Sequence, residues 1–267
     1  MSDWYQQQFD KALTTKFDDE FKKITGLTWL PWVGKNFDNC KILIVAESHY
    51  TNTDDQTLVQ QKKQQYLDDN LATREVMAEY PLYGYEAGWK NNGGRGNNPT
   101  FDNLFRLLIS DDLLYGVDTH KRRLNLCSNF AFMNIIQRPM WYPPSSTGFP
   151  KERPNDADRK IGWEVVYEVL KILLPDICIF SGSDASRYFE YHMNRLGIKY
   201  SGWEWDASKI GNTYPKKAIV DICGKKINLK FIRHPGSYFS WEQWQKFVFS
   251  DCKNIQDKLL SIIKAQS

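Results

Sequence analysis

Apolar positions along the chain follow two different periods. Short unbroken runs occur at Ile42-Leu43-Ile44-Val45, Ile177-Cys178-Ile179-Phe180 and, with one lysine inside, Leu229-Lys230-Phe231-Ile232. Runs of this length rich in β-branched residues read as strands buried on both faces. Elsewhere the spacing is helical. Residues 3–24 place Trp4, Phe9, Leu13, Phe17, Phe21 and Ile24 near one stripe, and 156–173 do the same with Trp163, Val166, Val169, Leu170 and Leu173. The pattern predicts helices over 3–24, 56–79, 100–114, 156–173, 183–196 and 241–264. It predicts strands over 41–46, 124–134 and 177–181, with a hairpin at 217–223 and 226–233. Strands alternating with helices imply an α/β fold: three layers, α/β/α, around a mostly parallel four-stranded central sheet.

No repeat or linker divides the chain, so 1–267 is read as one domain. Two segments break the pattern. Residues 51–98 are polar beyond their helix and end in an aromatic stretch with Tyr80, Tyr83, Tyr85 and Trp89, then a Gly- and Asn-rich arm. A loop of that length reads as an insert or lid over a functional face. Residues 140–155 form a Pro-rich loop.

Composition narrows the classes. With 42% hydrophobic and 15% aromatic residues the chain can bury a large core. No apolar run is long enough to span a bilayer, and no basic, then apolar, leader is visible, so a cytoplasmic protein with no membrane partner is expected. A net charge of +3 neither demands nor excludes nucleic acid. Basic clusters at 120–123, 216–217 and 225–226 suit phosphates, and suit equally the solvated ends of strands. The five cysteines are 87, 51, 45 and 29 residues apart, with no close pair. They read as buried reduced thiols rather than ligands of zinc or an iron–sulfur cluster, and no metal or cofactor is expected.

Two of the apolar runs end in polar loops rich in catalytic residue types: Ala46-Glu47-Ser48-His49-Tyr50 and Arg233-His234-Pro235-Gly236-Ser237. Between them lie Pro99-Thr100-Phe101-Asp102-Asn103, Asn134-Ile135-Ile136-Gln137-Arg138-Pro139, and Leu174-Pro175 through Gly182 with Ala185. In this order the segments resemble the motifs of the uracil-DNA glycosylase superfamily. The resemblance covers about residues 38–262.

That resemblance implies a DNA glycosylase, acting as a monomer on a base flipped out of DNA. It implies His234 as the donor to the departing base and Glu47 as the carboxylate that positions water and stabilises the cationic sugar. Asn134, Tyr50, Ser48, His49 and Phe101 would form the base pocket. Arg233, Ser237, Tyr238, Phe239 and Arg138 would hold DNA, with Tyr238 or Phe239 as a wedge. The chain also departs from the pattern: Ser48 stands where classical members carry an aspartate, and Ala46 and His49 replace a glycine and a proline. With its long aromatic insert, this points towards a bulky or glycosylated pyrimidine, as in defence against phage DNA. Ordinary uracil repair and a catalytically silent DNA- or protein-binding member remain alternatives. Structural roles also remain open: a strand cap for His234, a buried hydrogen-bonding role for Glu47 or Asn134, and core packing for Tyr238 or Phe239. A serine hydrolase is a poor fit, because neither Ser48 nor Ser181 lies in a Gly-x-Ser-x-Gly elbow.

Overall fold

A computed structural model describes residues 3–79, 99–114, 119–182, 185, 187–236 and 238–265. The N-terminal part runs α1 (Asp3–Ala12), α2 (Asp18–Phe21), β1 (Trp32–Val33), α3 (Phe37–Cys40), β2 (Ile42–Ala46) and β3 (Tyr50–Thr51). Then come α4 (Gln56–Asp68), α5 (Ala72–Ala78), α6 (Pro99–Ile109), α7 (Asp111–Leu114), α8 (Thr119–Cys127), β4 (Phe130–Asn134) and β5 (Met140–Trp141). The remainder is α9 (Asp156–Leu173), β6 (Ile177–Ser181), α10 (Phe189–Leu196), β7 (Tyr200–Trp205), β8 (Lys216–Ile222), β9 (Lys225–Ile232), α11 (Trp241–Phe249) and α12 (Lys253–Ala265).

The central sheet has seven strands, in the order β1-β4-β2-β6-β9-β8-β7, rather than the four expected. The inner four, β4, β2, β6 and β9, are parallel, as anticipated. β1 pairs antiparallel at one edge, and β8 and β7 extend the other edge antiparallel, so the sheet is mixed. Alternation along the inner strands divides the core in two. Ile42, Ile44, Phe130, Phe132, Ile177 and Ile179 pack with α6, α11 and α12 on one face. Leu43, Val45, Ala131, Met133, Cys178 and Phe180 pack with α9 and α10 on the other. Successive side chains on a strand point to opposite faces, which is why these runs are apolar throughout.

Several expected elements are broken, each for a local reason. The 3–24 helix stops at Ala12, where Leu13 bridges Gly34 and the Thr14 amide donates to the Val33 carbonyl. Its apolar residues serve both cores, Ala12 and Leu13 on one face and Phe21 and Ile24 on the other, which one straight helix could not do. The 124–134 strand starts only at Phe130. Residues 124–127 finish α8, and Ser128 and Asn129 turn back to the carbonyls of Leu124 and Asn125. The 56–79, 100–114 and 241–264 helices are each split in two, the second at Ser110 with φ +71. The 183–196 helix begins at Phe189. By contrast, 156–173 matches α9, where Asn155 and Asp158 form a capping box and Leu174 ends the helix before Pro175.

A buried ion pair ties α6 to α8. Arg123, 1% exposed, donates from Nη2 to Asp102 Oδ1 at 2.6 Å. Removing one partner strands a charge in the core, so Arg123→Met is expected to lose about 3–5 kcal/mol of stability. Urea denaturation measures this, and a loss under about 1 kcal/mol would mean that the site collapses or hydrates freely.

Candidate active site

The four parallel strands deliver their C-terminal ends to one edge of the sheet, where open α/β folds gather functional loops. The chain leaving β2 is laced to the chain leaving β4. The amides of Ile135 and Ile136 donate to the carbonyls of Ala46 and Glu47 at 2.9 Å, and Ser48 Oγ donates to the Arg138 carbonyl at 2.7 Å. β3 and β5 then pair in parallel. This lacing holds Glu47, 6% exposed, against the sheet end. Tyr50 Oη donates to Glu47 Oε2 at 3.3 Å, and Lys151 Nζ lies 4.0 Å from the same oxygen. Gly182 follows β6 directly, at φ +113, and a Cβ there would sit 2.5 Å from Glu47 Oε1. The carboxylate therefore occupies the space that glycine leaves just past the strand lying between β2 and β9.

His234 follows β9. Its loop is pinned from α6, where Asn103 Nδ2 donates to the carbonyls of Pro235 and Gly236 at 3.1 and 2.8 Å. His234 is exposed towards the cleft, and the partial desolvation it undergoes there pulls its pKa below the ordinary histidine value; Glu47 opposes this, and Lys151 and Arg233 add to it. The ring is thus neutral at pH 7 and keeps one N–H to donate.

Glu47, Tyr50, Arg233 and His234 line one cleft of about 1220 Å³. Among the described residues, Lys151, Arg153, Arg187 and Lys216 join Arg233 on its walls, against Glu47 and Glu190 as acids, so the cleft favours anions. Its far wall is aromatic: Tyr188, Tyr191, Trp205 and Tyr214 are exposed, and Lys216 Nζ stands 4.3 Å from the Trp205 ring centre. Neither this wall nor Lys151 stands out in the sequence as part of a site. The only signal was the density of aromatics over 188–214, which runs from the expected 183–196 helix into a stretch with no apolar periodicity.

Other expected residues lie elsewhere. Asn134 is buried and absent from the cleft lining, and its Nδ2 lies 3.0 Å from His49 Nε2. His49 itself is buried, edge-on to Trp29 at 4.5 Å and stacked on Tyr66 at 5.2 Å, with Thr73 Oγ1 at 2.9 Å. Phe101 packs on Phe105 and Phe132 in the core. Arg138 donates to both Asp158 oxygens, at 2.7 and 2.8 Å, and to Glu152 at 2.6 Å, so its guanidinium clamps the 138–158 segment. Phe239 is buried against Trp244, whereas Tyr238 is 95% exposed at φ +59. Ser237, and Tyr80, Tyr83, Tyr85 and Trp89 of the insert, lie outside the described residues. Of the insert's described part, only Asn52 lines the cleft. Cys40, Cys127, Cys178 and Cys252 are buried thiols, and Cys223 is exposed.

Burial lowers the His49 pKa from 6.5 to about 4. The unfolded chain therefore takes up this proton first as pH falls. Stability from the neutral ring is complete above about 6.5, is lost progressively down to about 4, and then levels off. For one such shift the loss is about 3 kcal/mol. The urea midpoint of the wild type should drop between pH 7 and pH 4.5, and drop less in His49→Phe. Equal drops in both proteins would remove His49 from the account.

Among the described residues no helix is long and apolar enough to cross a membrane. No protein-family model matches the chain, and no curated protein matches it.

Proposed function

We propose that the protein is a DNA glycosylase of the uracil-DNA glycosylase superfamily, acting as a cytoplasmic monomer on a flipped-out, modified pyrimidine. The observation that carries this reading is that Glu47 and His234, from the ends of β2 and β9, line one basic, aromatic cleft.

The chemistry follows from charge. As the C1′–N bond lengthens, its electron pair moves to the base and positive charge spreads over the sugar ring. The Glu47 carboxylate faces the cationic side, orients a water molecule towards C1′ and accepts its proton as the new C–O bond forms. The neutral His234 N–H donates to the base as negative charge arrives, and being held by its loop it needs no rearrangement. Arg153, Arg187 and Arg233 are the cations for backbone phosphates. The exposed ring of Tyr238, just past His234, suits the gap left by a flipped base.

Size favours a bulky base. The cleft, about 1220 Å³ and open to solvent, extends beyond Glu47 and His234 to the exposed rings of Tyr188, Tyr191, Trp205 and Tyr214. A plain pyrimidine leaves those rings uncovered, whereas a substituent reaches them and recovers the cost of unstacking. Such bases occur in modified viral genomes, and defence against phage is the biological setting this suggests.

The test is alkali-revealed strand breakage of matched oligonucleotides carrying uracil or a bulky modified pyrimidine. Faster release of the bulky base is expected. Equal or faster release of uracil would make the protein a repair enzyme with an oversized cleft, and binding without release of any base would make it a silent member.

A further inference from the structure

Lys151 has no part in the hydrolysis just described, yet it stands at the centre of the site. Its backbone is fixed by its neighbour: the Glu152 carboxylate accepts from the Trp141 amide at 2.7 Å and from Lys63 and Arg138 at 2.6 Å each. The Lys151 side chain then runs over the rings of Tyr50 and Tyr142, with Nζ 4.4 and 5.0 Å from their centres. That directs the amine to 4.0 Å from Glu47 Oε2, an approach longer than a hydrogen bond. The side chain remains 38% exposed to the cleft. A primary amine held beside a carboxylate, in a pocket that produces an aldehyde, is an arrangement for imine chemistry.

We propose that Lys151 gives the protein a second activity, β-elimination at the abasic site. The inference rests on the reading that the cleft seats a flipped nucleotide with C1′ near Glu47. After base loss, C1′ is a hemiacetal in equilibrium with the open aldehyde. Lys151, having given its extra proton to Glu47, attacks C1′ with the Nζ lone pair. The carbonyl electrons move to oxygen, which takes one proton from the attacking nitrogen and one back from Glu47 and leaves as water, forming an iminium and restoring the Glu47 carboxylate. A carboxylate is then needed to take a proton from C2′, and Glu47 is adjacent. The released C–H pair forms an enamine, which expels the 3′ phosphate with the C3′–O electrons and leaves a C2′=C3′ double bond. Water hydrolyses the iminium and returns the amine. No oxidant or reductant enters.

The experiment uses oligonucleotides whose abasic site was made without this protein, incubated with the full chain and sodium borohydride. A covalent protein–DNA adduct that maps to Lys151 by peptide mass is expected, with strand breakage before any alkali. Lys151→Arg keeps a cation beside Glu47 and over both tyrosines but cannot form the iminium, so its adduct should vanish, as should that of Lys151→Ala. No adduct with the wild type, an adduct at another amine, or wild-type trapping by Lys151→Arg would each overturn the inference. Base release, scored separately by alkali, keeps the two readings apart. Release without trapping removes the lyase alone, and trapping without release of any base removes the glycosylase alone.

Discussion

Base release should fall about a hundredfold or more in either Glu47→Gln or His234→Ala, while DNA binding stays within several-fold of wild type. Glutamine keeps the shape of Glu47 and can still accept from Tyr50, but it carries no charge to meet the cationic sugar and takes no proton from water. Alanine at 234 removes a donor that the Asn103 hydrogen bonds to Pro235 and Gly236 hold in place. Neither change touches the buried cores, because both side chains line the cleft. Single-turnover release from the preferred modified oligonucleotide is the measurement, with binding followed by anisotropy. Wild-type turnover in both variants would take the chemistry away from this pair. A loss in Glu47→Gln alone would leave the carboxylate in place and move the donor to another cleft residue.

The inner strands were legible because burial on both faces leaves a continuous apolar signature, and Glu47 and His234 were legible because they follow such runs directly. Of the outer strands, β8 was legible as the first arm of the expected 217–223 hairpin, whereas β1 and β7 were not. β1 has only two residues, and β7, Tyr200–Trp205, is largely exposed with polar residues between its aromatics, so neither carries a core pattern. At 124–127 Leu-Asn-Leu-Cys is too short to separate helix from strand, and the decision falls to hydrogen bonds from Ser128 and Asn129. Lys151 was invisible for a different reason. It lies in a Pro-rich loop whose course is set by Glu152 bonding to Arg138 and to Lys63, 89 residues away. Asn134 shows the limit of reading a residue by its motif position. Its type and strand end are visible in the sequence, but its amide goes to His49, a residue that departs from the motif.

Replacing Gly182 with alanine tests the placement of Glu47 without altering any chemical group of the site. At φ +113 the backbone is strained for any residue with a Cβ, at a cost of order 1–3 kcal/mol. The added carbon would also lie 2.5 Å from Glu47 Oε1 and 2.6 Å from its Cδ and Cγ, distances that no real contact adopts. The carboxylate must leave the space it occupies over Gly182, which puts its hydrogen bond from Tyr50 Oη at risk. Gly182→Ala should therefore lose about 1–3 kcal/mol or more in urea and release base about as slowly as Glu47→Gln. A double-mutant cycle separates the two causes. In Glu47→Ala with Gly182→Ala the clash is gone and only backbone strain remains, so the stability losses should sum to less than the two single variants. Additive losses would assign the effect to the backbone alone. Wild-type base release in Gly182→Ala would mean that the carboxylate works from some position other than the one over β6.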